Sequence, residues 1–182
     1  MADGSRLPLE QNIQFVRRAV ALAARHGAGV ESELGRVAGD EEIAAAAARG
    51  ALTDAAQARE FVQETGADCL AVSIGNVHGI YRRPPALDWK RLEAIRAAVP
   101  TALSLHGASG IPDSDVRCAI VGGVAKVNVN TELRARWFEI LADRGVELAD
   151  GSRLLALEEE LIAAVQAVVA SKLAGFEGRS AA

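Results

Sequence analysis

The chain has 182 residues, 50% of them hydrophobic and 24% charged, with a formal net charge of −4. That balance excludes the basic surface a nucleic-acid-binding protein presents. No uninterrupted apolar run reaches the roughly 18 residues of a membrane span, and no charged-then-apolar leader opens the chain. A soluble cytoplasmic protein with no nucleic-acid or membrane partner is therefore expected. The length can bury a core and fits one unit over residues 1–182. Cys69 and Cys118 each lie in an apolar pattern and read as buried, reduced thiols rather than a disulfide.

One unit recurs along the chain: an apolar run, a polar or glycine-rich cluster, then a helical stretch. Leu9 to His26 has helical periodicity and closes at Gly27. Val30 to Leu34 is a short, mixed strand ending at Gly35, followed by an acidic, glycine-containing stretch (GRVAGDEE). Ala44 to Ala48 favours a helix but shows no apolar stripe. Asp54 to Glu64 reads as a helix with its start signal at Thr53–Asp54, closed by Gly66. Cys69 to Ile74 is almost continuously apolar and runs into GNVHG. Asp88 to Ala98 is helical, Ala102 to Leu105 is a strand leading into HGASG, and Asp113 to Val121 is a helix entered through Pro112. Val124 to Val129 leads into NTE, helix Thr131 to Arg144 follows, and a long helix covers Leu154 to Ala174.

Strands that read as continuous apolar runs, each separated from the next by a helix, imply a parallel sheet. Barrel and doubly wound sheet both remain possible from this pattern. In both, ligands sit at the C-terminal ends of the strands. Those ends hold Glu33, His78, His106, Ser109, Asn128, Asn130 and Thr131.

Two histidines and a carboxylate brought together from different strand ends suit zinc, which takes imidazole nitrogen and carboxylate oxygen. Either histidine alone reads equally well as a hydrogen-bonded structural residue. The recurrence of histidine before glycine, in His78–Gly79 and His106–Gly107, tips the balance toward ligands. His26 is different: it ends a helix, where a cation suits the dipole. HGASG and NVNTE suggest an anion site, because small residues expose backbone N–H groups and helix starts add unpaired donors. GRVAGDEE reads either as a solvated linker or as a lid that carries a general base. Trp89, Trp137, Phe15 and Phe138 fall at helical positions and read as core or interface packing. Arg82–Arg83 reads as a solvated loop.

VESELGRVAGDEE, DCLAVSIGNVHGIY, LSLHGASGIPDSD and GVAKVNVNTELR resemble, in order, blocks of the class II ketose-bisphosphate aldolases. MADGSRLPLEQNI resembles the block on the preceding strand, with Arg6 where the family usually has histidine; a tolerated surface position is expected there. The resemblance runs nearly end to end. It implies an α/β fold forming part of a (β/α)8 TIM barrel, roughly its C-terminal half: about four parallel strands with their helices plus a long C-terminal helix. His78 and His106 would be two of three zinc-binding histidines, with Glu33 the nearby carboxylate. Glu41 would be the catalytic carboxylate that moves the substrate proton. Gly79, Gly107 and Ser109 would line the phosphate loop, with a monovalent cation possible there. Asn128, Asn130 and Thr131 would touch substrate. The implied reaction is zinc-dependent, reversible cleavage of a ketose 1,6-bisphosphate to dihydroxyacetone phosphate and an aldehyde.

The resemblance also implies an adjacent Asp-His pair that supplies the third zinc histidine and an acid. None of the 182 residues forms one. The expected consequences are an isolated chain with little turnover and a complementing N-terminal half or a homo-oligomer as partner. The alternative is a half-barrel that persists as a non-catalytic binding or interaction module, or as a remnant.

Overall fold

The computed structural model describes residues 1–37, 52–79, 81, 83, 85–144 and 152–178. Its elements follow the repeating unit in order: α1 (Leu9–Ala24), β1 (Glu31–Leu34), α2 (Ala55–Thr65), β2 (Cys69–Val72), α3 (Trp89–Ala98), β3 (Ala102–Leu105), α4 (Asp113–Val121), β4 (Val124–Val127), α5 (Thr131–Arg144) and α6 (Leu154–Phe176). The strands form one parallel sheet in the order β1-β2-β3-β4. Three expected strands run longer than those formed, and α1 stops two residues short of His26. The alanine run at 44–48 and Arg82 lie outside the described residues.

Helix starts form where short polar side chains can satisfy free amides. Asp54 accepts from the N–H groups of Ala56 and Gln57 at 2.9 and 3.0 Å, and Asp88 accepts from Arg91 N–H at 3.0 Å. Pro8 and Pro112 precede α1 and α4, where a missing N–H costs nothing. The outer face of the sheet is the core. Leu70, Val72, Leu103 and Leu105 are fully buried against Phe61, Leu92, Ile95 and Val116 of the helices.

The inner face is different in kind. Register places Glu31 beside Cys69 and Ala102, and Glu33 beside Ala71, Ser104 and Lys126. Charged residues therefore alternate with small ones on one side of the sheet. Three inter-strand steps of about 4.8 Å would put β1 and β4 roughly 14 Å apart in a flat sheet. Yet the Lys126 Nζ on β4 lies 2.7 Å from the Glu31 Oε2 on β1. The sheet curls, and its polar face is the concave one. At the β1 edge, Ala2 makes an isolated parallel bridge to Ser32, with Ala2 N–H donating to the Glu31 carbonyl at 2.7 Å. The first residues thus continue the sheet past β1, consistent with their reading as the end of a preceding strand.

The buried-thiol expectation needs correction, and the core half of the aromatic reading falls away. Cys118 is exposed and Cys69 only half-buried. Helix α4 turns Val116 and Ala119 to the sheet, and the 3.6-residue period leaves Cys118 on the other side. Trp89, Trp137, Phe15 and Phe138 are 36–58% exposed, so none is core. Helix α5 buries no residue fully, and α6 buries only Leu161 and Gly175. Arg6 is exposed, as expected of a surface position.

Candidate active site

Glu33 stands on β1 with 2% of its surface exposed, and His106 directly follows β3 with 4% exposed. His78 follows β2 and is exposed; its ring centroid lies 5.9 Å from that of His106. His106 sits between two carboxylates, with Nε2 2.7 Å from Glu31 Oε1 and Nδ1 3.5 Å from Glu33 Oε2. Lys126 Nζ donates to Glu31 Oε2 and to Asn128 Oδ1, both at 2.7 Å. The structure thus joins Glu33, His106 and Asn128 through two residues, Glu31 and Lys126, that the sequence reading did not single out.

The two glutamates differ in charge behaviour. At Glu31 burial raises the carboxyl, but hydrogen bonds from Lys126 and His106 outweigh it and hold the group below the ordinary 4.5. At Glu33 burial pushes the carboxyl above 4.5, and the Asp3 carboxylate adds to the push; His106 and the Val37 N–H oppose it only in part. A carboxyl whose folded pKa is raised takes up protons on folding. Glu33 therefore costs stability that sets in as pH rises above the ordinary 4.5 and is complete above the raised value. Glu31 has the opposite sign and stabilises above its ordinary value. Glu33→Gln is expected to stabilise the metal-free chain at neutral pH by about 0.5–2 kcal/mol, the usual gain from a single stabilising substitution. Urea unfolding at about pH 5 and about pH 8 checks the cause: the gain should be larger at the higher pH.

The second cluster lies beside the first. Ser109, 4% exposed, accepts through Oγ from the N–H groups of Asn130 at 3.1 Å and Glu132 at 3.4 Å. Its hydroxyl thus caps the start of α5, where Thr131 is the first residue. Glu132 Oε1 accepts from Gly110 N–H, and its Oε2 pairs with Lys172 Nζ of α6 at 2.9 Å. Gly107 has φ +64°, and Tyr81 Oη lies 2.9 Å from its carbonyl oxygen. The same Oη accepts from Val77 N–H at 2.7 Å and lies 2.9 Å from Val77 O. Tyr81 ties the loop after β2, with His78 and Gly79, to the loop after β3. Tyr81→Phe should cost about 1–3 kcal/mol, because it leaves Val77 N–H without its acceptor; chemical denaturation measures it.

Whether these residues suit a metal can be judged from one contact. An ionised carboxylate only accepts, so the His106 nitrogen facing Glu31 carries the hydrogen. In the neutral ring Nδ1 then bears a lone pair and faces the Glu33 oxygen at 3.5 Å. Two ligand atoms of a tetrahedral zinc lie about 3.4 Å apart, given bonds of roughly 2.1 Å. The donor types and this spacing fit zinc. Among the described residues, however, no group of three His, Cys, Asp or Glu side chains is gathered closely enough to hold a metal.

The family model for class II fructose-bisphosphate aldolase matches residues 1–179. The chain belongs to the class II fructose-bisphosphate aldolase family. It is 48% identical over 142 residues to the D-tagatose-1,6-bisphosphate aldolase subunit GatY of Klebsiella oxytoca, covering 78% of this chain and 50% of that protein. Among solved structures, the YdjI aldolase of Escherichia coli K12 matches with a TM-score of 0.74 and 36% identity, over 97% of this chain and 57% of its own. A provisionally named fructose-1,6-biphosphate aldolase of Coccidioides immitis matches with a TM-score of 0.85 and 33% identity, over 96% and 61%. The chain therefore spans about half the length of the relatives it matches.

Within this aldolase frame, the fold is the expected partial barrel: α/β, with four parallel strands. No helix among the described residues is long and apolar enough to cross a membrane. Glu41, expected to move the substrate proton, lies outside the described residues. Asn130 is exposed and its side chain forms no contact with the His106 cluster in the hydrogen bonds above. The sequence did carry a signal for both Glu31 and Lys126: Lys126 is the one charge in an otherwise apolar strand, and Glu31 lies two residues from Glu33 on the same strand.

Proposed function

We propose that this chain supplies the metal-binding and phosphate-binding strand ends of a zinc-dependent ketose-bisphosphate aldolase. The reaction is reversible cleavage of a ketose 1,6-bisphosphate to dihydroxyacetone phosphate and an aldehyde. The observation that carries this reading is the His106 Nδ1–Glu33 Oε2 pair, a ring nitrogen and a carboxylate oxygen 3.5 Å apart in a buried setting, the spacing of two ligands on one zinc.

His106 and Glu33 would hold the metal at their present spacing, joined by His78 from the neighbouring loop and by a further histidine from outside these residues. Zinc, when bound, supplies a Lewis acid that polarises the substrate ketone. Glu41 then removes the proton beside that carbonyl and returns it in the reverse direction. Asn128 donates to a substrate oxygen as negative charge grows there. Gly79, Gly107 and Ser109 shape the phosphate loop, and Asn130 and Thr131 flank it at the start of α5. A monovalent cation is proposed at the loop around Gly107 and Ser109.

The described residues give four strands, and a closed barrel needs eight. The concave face with Lys126 half exposed, together with the uncovered apolar residues Trp137, Phe138 and Ile162 on α5 and α6, supports a partner. We assign that role to a complementing N-terminal half, to further copies of this chain, or to both, in a cytoplasmic enzyme.

The test is an aldolase assay on fructose and tagatose 1,6-bisphosphates. The chain alone should show little or no turnover. The chain assembled with a class II N-terminal half should cleave one of the sugars and lose that activity to a chelator. Chelator-resistant cleavage would contradict the proposal. The interaction-module alternative predicts instead a monodisperse dimer that forms without zinc and gains no activity on complementation.

A further inference from the structure

The links among Asn128, Lys126, Glu31 and His106 have a fixed sense. An ammonium group only donates, so the Asn128 atom facing Lys126 at 2.7 Å must be its carbonyl oxygen. The same ammonium donates to Glu31 Oε2 at 2.7 Å. A carboxylate only accepts, so the other oxygen, 2.7 Å from His106, receives a hydrogen from Nε2. Each end of the chain is thereby oriented by chemistry that allows one arrangement. Glu31 is 13% exposed at its side chain and stands one inward-facing position before Glu33. It faces the back of the imidazole, on the side away from Glu33.

We propose that Glu31 and Lys126 form a positioning pair: Glu31 holds His106 by Nε2 so that Nδ1 is the metal-facing nitrogen, and Lys126 holds Asn128 by Oδ1 so that its NH2 meets the substrate oxygen. This deepens the metal-site reading and rests on it for the ligand role of His106. Histidines that bind metals commonly donate their second N–H to a carboxylate, which fixes the ring and strengthens the ligand. Here one lysine links that carboxylate to the substrate-side amide. A change at either residue should therefore disturb both the metal and the carbonyl side of the site. Neither residue touches metal or substrate itself.

Nitrogen-15 NMR of the imidazole rings in the metal-free chain decides the orientation directly. His106 should show a single tautomer with the hydrogen on Nε2, exchanging slowly with water. In Glu31→Ala that exchange protection should disappear. Glu31→Gln serves as the shape-preserving control should the alanine variant fail to fold, and it should weaken the protection in the same direction. Lys126→Met should free the Asn128 carboxamide, seen as faster exchange of its NH2 signals. A wild-type His106 with its hydrogen on Nδ1, or protection unchanged in every Glu31 variant that folds, would overturn the proposal.

Zinc affinity by chelator competition is the second arm. Glu31→Gln should weaken zinc about 10–100-fold, the usual effect of losing a carboxylate behind a histidine ligand. An affinity unchanged from wild type would also overturn it. Failure of the wild-type chain to bind zinc would count against the metal site itself, and the NMR result would still decide the positioning pair.

Discussion

His106→Ala is expected to weaken zinc binding by more than about 100-fold, since removal of a supporting carboxylate alone costs 10–100-fold. The geometry gives the reason. His106 is 4% exposed and meets carboxylates on both sides, Glu31 at Nε2 and Glu33 across 3.5 Å at Nδ1. Alanine removes a nitrogen ligand and frees the Glu31 carboxylate from one of its two partners. The buried Glu33 would then be the only strand-end ligand left beside the exposed His78. Competition against a chromogenic chelator measures the loss, with circular dichroism to confirm that the sheet persists. A folded His106→Ala chain that binds zinc as tightly as wild type would exclude His106 as a ligand.

The second large effect is expected at Gly107, immediately beyond that histidine. Its backbone is left-handed at φ +64°, a conformation that costs an L-residue roughly 1–2 kcal/mol. A Cβ there would also strike the Val77 carbonyl oxygen and come within 2.6 Å of the Val77 carbon. Both obstacles are backbone atoms of the neighbouring loop, held by Tyr81, so neither can swing aside as a side chain would. Overpacking adds about 1–3 kcal/mol, giving a total of roughly 2–5 kcal/mol for Gly107→Ala. Gly27 is the natural control. Its φ is +63°, but nothing lies within 4 Å of the added Cβ. Gly27→Ala should therefore show the conformational cost alone, about 1–2 kcal/mol. Urea denaturation of the pair separates the two terms, and equal losses would refute the close approach of the two loops. The approach matters for function because it brings the His78 and His106 loops side by side.

Much of this fold could be read before any coordinates. The β3, α4 and α5 boundaries agree residue for residue with the sequence pattern, because each is bracketed by clear signals: HGASG after the strand, Pro112 before one helix, Thr131 at the other. Strands β2 and β4 were read too long because apolar and β-branched residues continue past the last ladder pair, as Ile74 and Val129 do. The concave face was harder to see. Continuous apolar runs suggested strands buried alike on both sides, yet alternation turns the small residues Cys69, Ala71 and Ala102 to the inner face. Their neighbours Glu31, Glu33, Ser104 and Lys126 make that face polar. Only strand register brings these residues onto one surface, and register across four strands is a property of the sheet rather than of any local stretch.

The site shows the same division. The proximity of Glu33, His78 and His106 was legible because each was placed at the C-terminal end of a neighbouring strand. Glu31 escaped notice beside Glu33, although two glutamates separated by one residue on a strand share a face. Ser109 was read for anion binding; in the structure its hydroxyl caps the first amides of α5. The exposed tryptophan and phenylalanine of α5 could not be assigned to core or interface from helical spacing, since both uses share the same period.

Zinc-edge X-ray absorption on the zinc-loaded protein, wild type beside His106→Ala, decides whether imidazole and carboxylate hold the metal. Imidazole nitrogen is expected at about 2.0–2.1 Å together with carboxylate oxygen at a similar distance, and one fewer imidazole in the variant. Zinc held without imidazole, or a ligand shell unchanged by His106→Ala, would contradict the proposed metal site.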